Sequence, residues 1–65
     1  MTIEFCEARA VEAATAAADA KLDNVRDREL RSEAAWRGMV ARLVVVQTAR
    51  EKRDLERAEL VLSPA

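Results

Sequence analysis

The stretch Trp36–Ala49, WRGMVARLVVVQTA, decides how this chain folds because it holds the densest block of large apolar side chains. It contains the only Trp, whereas the flanking segments are dominated by Ala, Arg and carboxylates. When residues are placed at 100° intervals around a helix, most of the girth between Met39 and Ala49 is apolar. A helix that is apolar all round is normally buried all round, so we expect this segment to contact at least two other helices.

A β-strand is the alternative for the same stretch, since Val44-Val45-Val46 is β-branched and Leu43–Thr48 has the length of a strand. The flanking segments, Asp27–Arg37 and Arg50–Leu62, are long and helical in composition, and no hairpin turn follows. We therefore predict a helix. Gly38 lies inside it and is interpreted as a tolerated surface glycine, in preference to a kink or a point of close helix approach.

Upstream, a seam of mostly small residues at alternating steps of three and four predicts the first helix. The seam consists of Ile3, Cys6, Ala10, Ala13, Ala17 and Ala20. Thr2 is the predicted N-cap of this helix. Small side chains allow a second helix to approach closely, toward the low end of the usual separation of about 8–10 Å.

The periodicity fails at Lys21–Asn24, where Asp23 or Asn24 can cap a second helix. We predict an all-α, antiparallel two-helix hairpin that forms a single domain, with helices over residues 3–21 and 25–62 and a turn at residues 22–24. Ser63-Pro64 is expected to end the second helix, because Pro disfavours helix at the preceding residue. The second helix then overhangs the first by roughly 18 residues, whose apolar side chains need a cover.

The uncovered side chains predict that two chains dimerise into a helical bundle or coiled coil, most simply as a twofold-symmetric homodimer. A chain of 65 residues is marginally stable alone, and its single cysteine cannot form an intrachain disulfide. The predicted interface residues are large apolar side chains of the second helix, namely Trp36, Val40, Leu43, Val44, Val46, Leu55 and Leu62.

Charge and hydropathy disfavour nucleic acid and membranes as partners. The formal net charge is −1, which gives no strong field toward either. The longest strictly aliphatic run, Leu43–Val46, is far shorter than the roughly 20 residues that span a bilayer. Glu4 and Glu7 stand where a signal peptide would need basic residues. These features and the lone thiol predict a cytoplasmic protein.

No catalytic, metal-binding or cofactor-binding motif is recognisable in a sequence that has no His and one Cys. The carboxylates stand singly on helical faces, mostly near Arg, where solvated ion pairs are the expected role. Cys6 lies on the seam and is predicted to pack as a small hydrophobic residue rather than to act as a nucleophile. Trp36 is predicted to fill the core rather than to anchor a ligand. We therefore predict a protein that is not an enzyme.

The segment Asn24-Val25-Arg26, with Arg28, Leu30-Arg31 and Ala34-Ala35-Trp36-Arg37, resembles a group of short bacterial helical-hairpin proteins. Members of that group have an Ala-rich first helix, a short polar turn and an Arg-rich second helix with an A-A-W core motif. The resemblance covers about residues 8–45 and implies the hairpin fold. The group has no established activity, so no functional residue is carried over. The Leu43–Val46 run is more apolar here than in the group, which favours a buried overhang.

The leading hypothesis is a non-catalytic protein–protein interaction or self-association module that forms a homodimer and docks on an unidentified protein partner. The alternative is a small nucleic-acid-associated regulator that uses the Arg-rich second helix. Carboxylates interleave with those arginines, and no stacking aromatic residues accompany them, so the first hypothesis is preferred.

Overall fold

The computed structural model describes residues 1–62 and contains two α-helices, α1 over Ile3–Asp19 and α2 over Asp23–Leu62. No strand occurs within the described residues, so the all-α prediction is confirmed and the strand alternative for Leu43–Thr48 is excluded. The molecule is elongated, with extents of 66 × 15 × 13 Å. The predicted helix end at Ser63-Pro64 lies outside the described residues.

The two helices run antiparallel as a hairpin. Near the start of α1, Ile3 shares a groove with Leu43 and Val46 from the middle of α2. Further along α1, Ala13 shares a groove with Ser32, which lies closer to the start of α2. Because α1 begins level with the middle of α2, it leaves the C-terminal part of the longer helix without an intrachain cover.

Thr2 caps α1 as predicted. Its backbone is extended (φ −100°, ψ 160°), and its side-chain oxygen accepts a hydrogen bond from the Phe5 N–H at 3.1 Å. Its carbonyl accepts from the Cys6 N–H at 3.1 Å and so begins the helical ladder. Glu4 adds negative charge in the first turn, where the helix dipole favours it.

The connection lies two residues earlier than the predicted turn at residues 22–24. Ala20 adopts an extended conformation (φ −68°, ψ 134°) and ends α1 at Asp19 rather than at Lys21. The Leu22 carbonyl accepts from the Arg26 N–H at 3.0 Å, so the ladder of α2 starts there. Asp23 is therefore the first residue of α2 rather than its cap. Its carboxylate stabilises the positive end of the helix from within the first turn.

The core of the hairpin is the predicted seam of α1. Its four buried residues are Cys6, Ala10, Ala13 and Ala17, of which the first two have no exposed surface. Ile3 and Ala20 are half-buried at the two ends of the same line. The spacing of four, three and four keeps these side chains on one face of the helix, and their small size brings the facing helix close.

Within α2, residues 23–62, no side chain is fully buried. Its contribution to the hairpin is a half-buried line at steps of four and three: Val25, Glu29, Ser32, Trp36, Met39 and Leu43. Val40 is half-buried beside this line, whereas Val46, which lies about 60° from the line on the other side, is 48% exposed. A narrow helix of alanines covers one strip of α2, so the expected burial of Met39–Ala49 on all sides does not occur within one chain.

Gly38 faces open space. A Cβ atom built on it would meet no heavy atom within 4 Å among the described residues, and its φ is not positive. Close approach of α1 is therefore excluded as the reason for a glycine at this position. The interpretation that remains is the preferred one, a tolerated glycine in a continuous helix.

Replacing Gly38 with Ala is expected to raise the free energy of unfolding by about 0.5–1 kcal/mol. Ala has the higher helix propensity, and the added methyl group has room. Urea unfolding followed by circular dichroism measures the change. Ala35→Gly, at an exposed site one turn away, is the matched control and should lower stability by a similar amount. A destabilised Gly38→Ala variant would indicate a contact at Gly38 from outside the single chain.

Candidate self-association surface

Every residue from Val44 to Leu62 is exposed in the single chain. This part of α2, which we call the overhang, starts level with the beginning of α1, where Val46 and Arg50 share a groove with Ile3, and continues beyond it. It is amphipathic rather than uniformly polar, because Leu55, Leu60, Val61 and Leu62 stand among its charged residues. Their exposed fractions range from 65% to 82%. An exposed helix with this many large aliphatic side chains is typical of a surface that binds another protein.

Three of the seven predicted interface residues contact α1 within the single chain. Trp36 is half-buried and packs edge-on against Phe5, with ring centroids 5.9 Å apart and an interplanar angle of 75°. Leu43 is half-buried beside Ile3, and Val40 lines a groove with Val11. These side chains already contact α1, so their surface is only partly free for a second chain.

The other four predicted residues remain available. Val44 is 44% exposed and Val46 is 48% exposed, while the figures for Leu55 and Leu62 are 65% and 82%. Val44 and Val46 lie about 160° apart around the helix, because two residues separate them by 200°. One further helix therefore cannot cover both of them. Val44, Leu55 and Leu62 share one side of α2, and Val46 lies on the other side near Arg42.

A shallow groove lies on the same side of the hairpin as Val44. Glu7 and Val11 of α1 form one wall, and Arg37 and Val40 of α2 form the other. Val11 is 58% exposed. The groove joins an apolar floor to one acidic and one basic rim, which suits a helix that carries both aliphatic and charged side chains.

Ion pairs occupy several arginines of α2. Arg37 donates to the Glu33 carboxylate at 2.7 Å, and Arg26 donates to Asp23. Arg28 lies 4.0 Å from Glu29. All three pairs are local along the helix and at least partly exposed, so each stabilises the fold by only a fraction of a kcal/mol. They also neutralise part of the positive charge of α2.

Glu29 is a half-buried residue of α2 that was not predicted from the sequence to lie in the helix–helix contact. Its side chain is 26% exposed although it lies among the residues that face α1. Its signal was its position, which a helical wheel places about 40° from Val25 and within the apolar face. The alanines opposite leave space for the aliphatic part of a Glu side chain to lie along α1 while its carboxylate reaches water.

Neither helix within residues 1–62 has the apolar length that crossing a bilayer requires. The same residues contain no cluster of three or more His, Cys, Asp or Glu side chains that could hold a metal ion. Cys6, the free thiol, is buried. The chain matches no known protein family, no curated protein and no solved structure.

Proposed function

We propose that this chain is a non-catalytic, cytoplasmic interaction module that acts by self-association, as a homodimer whose contact surface is α2. The observation that carries the proposal is the exposure of Val44, Leu55 and Leu62 on one side of a helix that α1 covers only on another. The composition of the buried core supports it, because three alanines and one cysteine provide little apolar area for folding one chain.

The energetic argument compares the hairpin with the overhang. Full burial of a Val or Leu side chain contributes roughly 1.5–3 kcal/mol. Val44, Leu55 and Leu62 expose about half or more of their surface, so covering them should recover several kcal/mol. A small domain has a total stability of about 5–15 kcal/mol, and a hairpin with an alanine core lies at or below the lower end. Association is thus a sizeable part of the stability available to this chain.

Sedimentation equilibrium on the full chain, with thermal melts across a hundredfold concentration range, tests the proposal. We expect a mass that approaches two chains and a melting temperature that rises with concentration by mass action. A mass of one chain throughout, with a constant melting temperature, would show that the hairpin is complete by itself.

Val44→Glu is expected to raise the dimer dissociation constant by about tenfold or more, because it buries a charge at the proposed contact. Ala49→Glu is the matched control. It adds the same charge at an exposed position about 140° around the helix from Val44 and should leave the dissociation constant nearly unchanged. Equal effects of the two substitutions would place the contact elsewhere.

The nucleic-acid alternative makes a different prediction for the same samples. It requires unpaired cations. Arg26, Arg28 and Arg37 each have a carboxylate partner, whereas Arg31, Arg50 and Arg53 have no ion pair within residues 1–62 and are the cations that this alternative would use. Binding of DNA or RNA at low ionic strength that weakens steeply with added salt would favour this alternative over the interaction module.

A further inference from the structure

A second line of side chains runs along α2, separate from the line that faces α1. It advances by alternating steps of four and three, the spacing of a coiled-coil seam, and all ten of its residues are exposed. We call it the outer seam, and it consists of Leu30, Ala34, Arg37, Ala41, Val44, Thr48, Glu51, Leu55, Ala58 and Leu62.

The outer seam cannot be covered by α1. At 100° per residue it lies roughly 120° around α2 from the line that contacts α1. Its large side chains are accordingly open, with 47% of Leu30 and 65% of Leu55 exposed. It runs from the turn end of the hairpin to the end of the overhang, a length of about 48 Å at 1.5 Å per residue.

We propose that the outer seam binds the outer seam of a second copy of this chain, antiparallel, with Val46 of both chains level with the twofold axis. This inference rests on the self-association proposed above and specifies its surface, direction and register. The spacing of the seam is itself symmetric about Val46, since each step on one side is matched by an equal step on the other. An alternating seam has this symmetry about the middle of each step, so the spacing permits an antiparallel twofold contact, and the side chains select the register.

The proposed register matches side chains by size in three of the five different layers of the contact. Leu30 lies level with the partner's Leu62, so two large aliphatic side chains meet at each end of the contact. Ala34 lies level with the partner's Ala58, where two small side chains let the helices approach. Nearer the axis, Val44 lies level with the partner's Thr48. Between these layers, Arg37 lies level with the partner's Leu55 and Ala41 lies level with the partner's Glu51, so each of these two layers combines one charged and one apolar side chain.

Charge complementarity favours the antiparallel direction. Arg37 and Glu51 are the charged members of the outer seam. In the proposed register Arg37 lies about one helical turn from the partner's Glu51, so opposite charges meet across the contact twice. In a parallel, in-register pair Arg37 would meet its own copy and Glu51 would meet its own copy, and both contacts would be repulsive.

Arg37 and Glu51 cannot neutralise each other within one chain. They are fourteen positions apart, which is about 21 Å along the helix axis. Each has a local partner on its own turn: Arg37 donates to Glu33 at 2.7 Å, and Gln47 donates to Glu51 at 3.3 Å. These hydrogen bonds leave both side chains exposed and able to make a further contact.

The lengths of the elements also fit. The overhang of 19 residues is about 28 Å long, and the part of α2 between Leu30 and Thr48 that it would cover is about 27 Å long. The groove formed by Glu7, Val11, Arg37 and Val40 lies on the same side and would receive the partner's overhang. The dimer is then two three-helix bundles that share their long helices.

An exchange of charges tests the register. Arg37→Glu places like charges opposite the partner's Glu51, and Glu51→Arg does the same opposite the partner's Arg37. Each single variant is expected to raise the homodimer dissociation constant by about tenfold or more. A mixture of the two variants restores both attractive contacts and should form heterodimers about as tightly as the wild type. Native mass spectrometry resolves them because the two variants differ in mass.

Arg42→Glu is the matched control, since it makes the same change at an exposed site on the opposite side of α2. Circular dichroism of each variant verifies that the helices remain. Weakened single variants with a restored mixture support the register. Single variants that associate like the wild type, or a mixture that stays as weak as they are, overturn the register while self-association stands. A wild type that remains one chain at every concentration overturns both proposals.

Discussion

Replacing Ala17 with Leu is expected to lower the free energy of unfolding by about 1–3 kcal/mol. Only 3% of Ala17 is exposed, and it lies on the line of small side chains along which α2 approaches α1. Three extra carbon atoms have no space there, so the helices must separate or the side chain must leave its preferred rotamer. Ala13→Leu, at a site that is 6% exposed, should act in the same direction.

Urea unfolding at one fixed protein concentration measures this effect and keeps any association constant. Ala18→Leu is the control, because Ala18 neighbours Ala17 on α1 but is exposed. It should change stability by no more than a few tenths of a kcal/mol. If the midpoints of Ala13→Leu and Ala17→Leu matched the wild type or exceeded it, the seam would have to face solvent and the hairpin would be packed differently.

Replacing Trp36 with Ala is expected to cost about 2 kcal/mol. Removal of a fully buried aromatic side chain costs about 3–5 kcal/mol, and Trp36 is half-buried. Its edge-on contact with Phe5 joins the middle of α2 to the start of α1. Such a contact between rings adds stability beyond that of the buried apolar area. Arg9 lies over the Phe5 ring, with its guanidinium carbon 5.1 Å from the ring centre.

A double-mutant cycle separates the ring contact from simple loss of area. Trp36→Ala, Phe5→Ala and the double variant should give a coupling energy of about 0.5–1.5 kcal/mol. Circular dichroism is the appropriate signal, because Trp36 is the only Trp and its replacement removes the intrinsic fluorescence. Trp36→Phe retains a ring and should lose less stability than Trp36→Ala. A coupling energy near zero would show that the two rings do not meet in solution.

The core of α1 could be predicted from the sequence because helix geometry alone determines it. Cys6, Ala10, Ala13 and Ala17 recur at steps of three and four, and only one face of a helix can hold all four. Thr2 was similarly recognisable, since a Thr before a long helical segment has a specific hydrogen-bonding role. Both predictions depend on neighbours along one helix and need no knowledge of the partner helix.

The helix ends could not be located as well. Ala20 ends α1 by adopting an extended backbone, yet alanine carries no side-chain signal for that conformation. Asp23 is a good capping residue by type, but the ladder begins one residue earlier at the Leu22 carbonyl. Backbone torsions decide such details, and they depend on how the two helices must align to bring the seam against α2.

The exposure of the central stretch shows where a single sequence stops being informative. Because the helix between Met39 and Ala49 is apolar around most of its girth, the sequence predicts that two other helices contact it, and α1 is only one of them. The residue of α2 at which contact with α1 ends depends on the length of α1 and on the position of the turn. Val44, which is 44% exposed in the single chain, was predicted to contact a second chain, and that contact stays a prediction. In the proposed dimer, the second chain provides the second helix that contacts this stretch.

The three-residue connection of Ala20–Leu22 has a consequence for folding kinetics. Closing so short a loop costs little chain entropy, and nearly all hairpin contacts near the turn join residues that are close in sequence. Chains with such local topology fold on the microsecond to millisecond scale. The overhang has no local partner, so its ordering against a second chain is bimolecular. In the proposed dimer, the slow step of assembly at low concentration is then the encounter of two hairpins rather than the formation of either one.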